Sequence, residues 1–80
     1  MRYETSTNLE WEEVKEKAVS FFESGLGLKE TEASENCLNF EGGGGYVYIT
    51  SCLEEDDGDR RVELETREWD RKVKSFMKKI

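Results

Sequence analysis

Gly42-Gly43-Gly44-Gly45-Tyr46-Val47-Tyr48-Ile49-Thr50-Ser51-Cys52-Leu53 joins a four-glycine run to the one sustained apolar strand of an 80-residue chain. A phosphate-binding loop sends its glycines into a helix, whose first N–H groups hold the anion, usually with Lys and Ser or Thr close behind. Here the glycines enter a strand. Neither Lys nor Arg occurs between Lys29 and Arg60, and Glu41 directly precedes the run. The glycines are therefore turn and bend material, or mark a place where another backbone or side chain packs close. In the strand, Val47, Ile49, Ser51 and Leu53 share the core face, and Tyr46, Tyr48, Thr50 and Cys52 take the other.

Working outward, Glu54–Asp59 breaks the strand and Arg61–Arg67 alternates again, with Val62, Leu64 and Thr66 inward. Asp57-Gly58 is a favoured two-residue hairpin turn. Centred there, the hairpin sets Leu53 opposite Val62, Ser51 opposite Leu64 and Ile49 opposite Thr66. On the other face it sets Glu54 opposite Arg61 and Tyr48 opposite Arg67, pairings that cross-strand energetics favour. Before the glycines, Cys37–Glu41 alternates with Leu38 and Phe40 inward. A Gly44-Gly45 turn would place Cys37 opposite Cys52, and a four-residue Gly42–Gly45 loop would make them diagonal neighbours. Both registers have the same parity, so the cysteines share the outer face either way.

The remaining elements are amphipathic. Residues 2–6 suit a short strand. Thr7 with Glu10 fits a capping box and Asn8 is an equal candidate cap, ahead of Trp11, Val14, Ala18, Phe21 and Phe22 at helical spacing. The spacing predicts a helix over 8–24, stopped by Gly25. Residues 29–33 suit a charged edge strand. Trp69, Val73, Phe76, Met77 and Ile80 predict a final helix running to residue 80, with Thr66 or a neighbour as its cap. The expected fold is a two-layer α+β domain, β-α-β-β-β-β-α, with a four-stranded antiparallel meander and both helices on one sheet face. Trp11, Phe21, Trp69 and Phe76 are expected to fill its core. The element order resembles the TATA-binding-protein-like and helix-grip folds across the whole chain, at the level of topology and without a sequence motif. That resemblance implies a fold and carries no function.

Composition narrows the function classes. The net charge is −7, and residues 28–59 hold nine acids against Lys29, which argues against nucleic acid and anionic membrane surfaces as partners. Residues 60–80 hold eight basic and four acidic groups, where cations suit the end of a helix. Neither a signal core nor a membrane-length segment is present, so a cytoplasmic location with reduced thiols is expected. The chain lacks His, and two cysteines cannot complete a zinc site, so no metal or cofactor is expected. An EF-hand template across Glu54–Asp59 would need oxygen ligands at Leu53 and Leu64 and fails. Glu63 and Glu65 lie on an exposed face, where nothing tunes a carboxyl for acid–base work, and no nucleophile has a base partner. Cys37 and Cys52 are the one candidate redox pair.

What remains is the outer sheet face, whose Asn39, Tyr46, Tyr48, Thr50, Arg61 and Arg67 are residue types suited to a contact surface. The chain is expected to be a small acidic non-enzymatic interaction module, self-associating as a homodimer through that face or an edge strand. The alternative is a binder of small apolar ligands, with a cavity between sheet and helices as in helix-grip proteins.

Overall fold

The computed structural model describes residues 1–53 and 60–80, without the side chain of Leu53. It shows a small α+β fold of five antiparallel strands and two helices. The strands are β1 (Arg2–Thr7), β2 (Lys29–Ala33), β3 (Cys37–Gly42), β4 (Gly45–Leu53) and β5 (Arg60–Arg67). Helix α1 (Trp11–Ala18) continues as a π-helical segment over Val19–Gly25, and α2 (Asp70–Met77) follows β5. The sheet order is β1-β5-β4-β3-β2, so β2 to β5 form the expected meander and β1 returns to pair with β5. No turn connects β1 to its sheet neighbour β5, so no local sequence signal places it.

Alternation along the strands builds the core. Leu38, Phe40, Val47, Ile49, Val62 and Leu64 are buried together with Val14, Ala18, Phe22, Val73 and Phe76 from the helical segments. Burying each large apolar side chain stabilises the fold by about 1.5–3 kcal/mol. Phe22 lies at the centre, its ring 5.6 Å from that of Phe40 and 5.1 Å from that of Phe76. The expected aromatic set is corrected accordingly. Phe22, Phe40 and Phe76 are fully buried, while Phe21 and Trp69 pack at the margin. The π-helical turns explain the exchange, since a wider helix changes which of two adjacent residues points inward.

The helix ends also differ from expectation. Helix α1 begins at Trp11 with Glu10 as an N-cap that makes no side-chain bond. Thr7 forms no capping box: its hydroxyl accepts from Leu9 N–H at 3.1 Å and donates to the Ile80 carbonyl at 2.9 Å. Thr66 caps nothing, because it lies inside β5 with its hydroxyl donating to the Tyr46 carbonyl at 2.7 Å. Helix α2 stops at Met77 rather than running to residue 80; the Lys79 N–H turns to the Phe76 carbonyl at 2.8 Å, a tighter final turn.

The strand registers settle the role of the glycines. Gly42 pairs with Gly45, leaving Gly43 and Gly44 as a two-residue turn with φ of +60° and +82°. Positive φ at both positions is the pattern of a type I′ hairpin turn, which glycine adopts without a Cβ penalty. Gly45 serves another purpose, since a Cβ there would collide with the Arg67 carbonyl oxygen. On the far side, Val47 pairs with Thr66, Ile49 with Leu64, Ser51 with Val62 and Leu53 with Arg60. The β4–β5 ladder is thus offset by two residues from the expected register, and Arg67 meets Tyr46 while Tyr48 meets Glu65. The close approach of Gly45 to Arg67 fixes this offset, and an even offset keeps every side chain on its predicted face. Arg61 meets Cys52 rather than Glu54, by the same offset; the Asp57-Gly58 turn and the inward placement of Leu53 lie outside the described residues.

These roles rank the glycines. Gly44→Ala, with open space around its Cβ, should cost about 1 kcal/mol for positive φ alone. Gly43→Ala adds a Cβ placed 2.6 Å from the Trp69 ring and should cost about 2–3 kcal/mol. Gly45→Ala pits side chain against backbone and should cost most, above about 3 kcal/mol. Chemical denaturation of the three variants measures the order, and equal losses would contradict these separate roles.

Candidate functional site

The alternate residues of the sheet fall into rows that cross the strands. Nearest the glycine turn run Lys29, Glu41, Tyr46 and Arg67; next come Glu32, Asn39, Tyr48, Glu65 and Arg2. Beyond these lie Cys37, Thr50, Glu63 and Glu4, and finally Cys52, Arg61 and Ser6. All six expected contact residues, Asn39, Tyr46, Tyr48, Thr50, Arg61 and Arg67, therefore fall on this one surface. Asn39, the two tyrosines, Thr50 and Arg61 are half-buried by their neighbours, and Arg67 is exposed. The first two rows frame a shallow, open depression of about 790 Å³ beside the turn.

Most polar groups here are bonded to one another. The Tyr46 hydroxyl donates to Glu65 Oε2 at 2.7 Å, and the Arg2 guanidinium donates to Glu65 Oε1 at 2.9 Å. Asn39 Nδ2 donates to Thr31 Oγ1 at 2.7 Å and to Glu41 Oε2 at 3.0 Å. The bond from Arg2, then that from Tyr46, holds the Glu65 carboxyl below the usual carboxylate range. That stabilisation is complete above the unfolded value and fades as pH falls through the lowered folded one. The reverse applies to the phenols. Tyr46 is raised first by its bond to Glu65, Tyr3 by its bond to Asp70, and Tyr48 by its bond with the Cys37 thiol. Their contribution is present below the unfolded phenol value and is lost as pH rises through the raised folded values.

The cysteines do not face one another. Cys37 pairs with Thr50 and Cys52 sits diagonally from it, the register expected of a Gly42–Gly45 loop but reached through the two-residue Gly43-Gly44 turn. Both are free thiols. Cys37 Sγ lies 2.9 Å from Ser34 Oγ and 3.5 Å from Glu32 Oε2, whereas Cys52 Sγ lies 3.6 Å from Glu63 Oε2. Each thiol is thus directed at its own carboxylate. Among the described residues no group of three or more Cys, Asp and Glu side chains is placed to hold a metal ion. Among the same residues no helix is long and apolar enough to cross a membrane.

Sequence reasoning missed Arg2, Glu4 and Thr31 as members of this surface. Arg2 and Glu4 reach it only through the pairing of β1 with β5, which no local pattern signals. Thr31 sits at a bulge between Glu30 and Glu32 in β2, where the poor alternation of the segment was the available sign. Compared with known proteins, the chain matches no family model, no curated protein and no solved structure.

Two measurements test this geometry. Ultraviolet titration should show all three tyrosines ionising above the ordinary phenol value of about 10, with Glu65→Gln bringing Tyr46 down and leaving Tyr3 in place. A wild-type midpoint at the ordinary value would contradict the hydrogen bonds. After mild oxidation two thiols should still titrate, Cys52 faster than Cys37, which is only 8% exposed. Their joint loss to an intramolecular disulfide would contradict the register.

Proposed function

We propose that the chain is a non-enzymatic interaction module that self-associates through its sheet. We infer that both helices cover one sheet face, because their buried residues share a single cluster with the inward residues of the strands; this is the two-layer arrangement of TATA-binding-protein-like and helix-grip folds. The opposite face and the end strands then remain for contact. The observation that carries the proposal is the composition of that face. Tyr46 and Tyr48 sit side by side on β4 among hydrogen-bonded polar groups, an aromatic centre with a polar surround. The bonds of Tyr46 and Arg2 to Glu65 hold these side chains in place, which lowers the entropy cost of burying them.

The geometry offers catalysis little. Glu65 is held ionised by Arg2, the opposite of a tuned general acid, and the thiols lie beside carboxylates, whose ordinary pKa of about 4 makes them weak bases toward a thiol. The alternative of an apolar-ligand binder needs space between sheet and helices, where the rings of Phe22, Phe40 and Phe76 already meet.

Sedimentation velocity across a wide concentration range tests the proposal. The mass should rise from monomer to dimer with concentration. A monomer persisting at about millimolar concentration, beyond the range of even weak specific contacts, would overturn it.

A further inference from the structure

Strand β1, at the end of the sheet, carries enough geometry to say which part of the protein a second copy meets. The Thr66 N–H donates to the Met1 carbonyl at 2.9 Å and the Met1 nitrogen donates to the Thr66 carbonyl at 2.8 Å, so these residues form a hydrogen-bonded pair. In an antiparallel ladder such pairs recur at every second residue. Tyr3, Thr5 and Thr7 therefore direct their backbone groups to β5. Arg2, Glu4 and Ser6 direct theirs to the open edge, along a ladder unbroken from Arg2 to Thr7.

The other end strand is guarded. β2 is exposed along its whole length, carries Lys29, Glu30 and Glu32, and is broken by the bulge at Glu30/Glu32. Charge and bulging are the usual protections of an edge against pairing. β1 has no bulge, and its charges are arranged differently. Glu4 stands directly opposite Glu63 across the ladder, a like-charge pair, and has no ion-pair partner among the described residues. Arg2, bonded to Glu65, keeps its side chain 71% exposed with donors to spare.

A second copy related by a two-fold axis would pair antiparallel with matching faces, so even-numbered residues would meet even-numbered ones. Centred on Glu4, the pairing sets Glu4 against its own copy. Centred on Thr5, it sets Glu4 against Ser6 and leaves Arg2 without a counterpart. Centred on Tyr3, it sets Arg2 against Glu4 of the second copy and Glu4 against its Arg2, and these residues also exchange both backbone bonds. We propose that β1 pairs with β1 of a second copy in this register, giving one sheet continuous across a dimer. The proposal rests on the self-association reading above, which left the sheet face and the end strands open to contact, and assigns it to the end strand β1 rather than to the tyrosine face. It also supplies Glu4 with a cation that none of the described residues provides.

The test is a charge exchange read by sedimentation. Arg2→Glu and Glu4→Arg alone each turn two attractive contacts into two repulsive ones, and each should weaken self-association by about tenfold or more. Mixing the two variants restores opposite charges at both contacts, so the mixture should dimerise to within about threefold of wild type. Recovery on mixing also shows that the single variants are folded. Glu30→Lys, on the opposite end strand β2, should leave the dimer constant within about twofold. Dimers in both single variants, or no recovery on mixing, would overturn the edge assignment. If Tyr48→Glu alone abolished the dimer, the contact would move to the sheet face, with the broader reading intact. A wild-type chain that stayed monomeric would overturn both.

Discussion

The phase of β4 against its two neighbours is the constraint on which the rest of the molecule depends. On one side Gly43 and Gly44 close a turn at positive φ and tie β4 to β3. On the other, Gly45 lets the backbone approach the Arg67 carbonyl, and the Thr66 hydroxyl bonds to the Tyr46 carbonyl one step along. With both contacts set, Val47 and Ile49 have one place to go, and it is the core. The same phase delivers Tyr46 and Tyr48 to the opposite side. A one-residue slip would exchange the two sets, placing phenols in the core and aliphatic side chains in water.

How much of this was legible in the sequence follows from parity. Alternation identified the faces of β3, β4 and β5, and those assignments survive because the register differs from the expected one by an even step. The register itself was not legible. The Asp57-Gly58 signal is local, whereas the offset is set at the far end of the ladder, where Gly45 meets Arg67. The glycine run was recognised as turn material, but two glycines serve the turn and a third serves a neighbouring strand. That division appears only once β5 is in place. Phe21 and Phe22 both lie on the expected apolar stripe, but the core takes Phe22 rather than Phe21, because helical periodicity assumes an α-helix and Val19–Gly25 is wider. Candidate surface residues fared similarly: those on the meander were found by alternation, and those on β1 were hidden until long-range pairing brought Arg2 to Glu65.

The acidity of the chain is distributed in a way that composition alone does not convey. The sheet surface mixes signs, with Arg2, Lys29, Arg61 and Arg67 set among Glu4, Glu32, Glu41, Glu63 and Glu65. Several of these groups are bonded in pairs or small networks, and the carboxylate of Glu65 alone receives both a guanidinium and a phenol. Such a surface keeps its polar groups satisfied in water and orders them before any partner arrives. Glu4 stands outside these networks, an acid opposite the acid Glu63.

The bulge in β2 has a consequence for assembly that is a matter of valence. A sheet with two equivalent open edges is a divalent unit, and divalent units polymerise, which is the route by which strand pairing leads to fibres. Kinking and charging one edge while leaving the other regular makes the unit monovalent. Two such units that join are both capped, and growth ends there. If β1 pairs as proposed, an irregularity of a single residue, Thr31 between Glu30 and Glu32, would separate a closed pair from an open-ended filament.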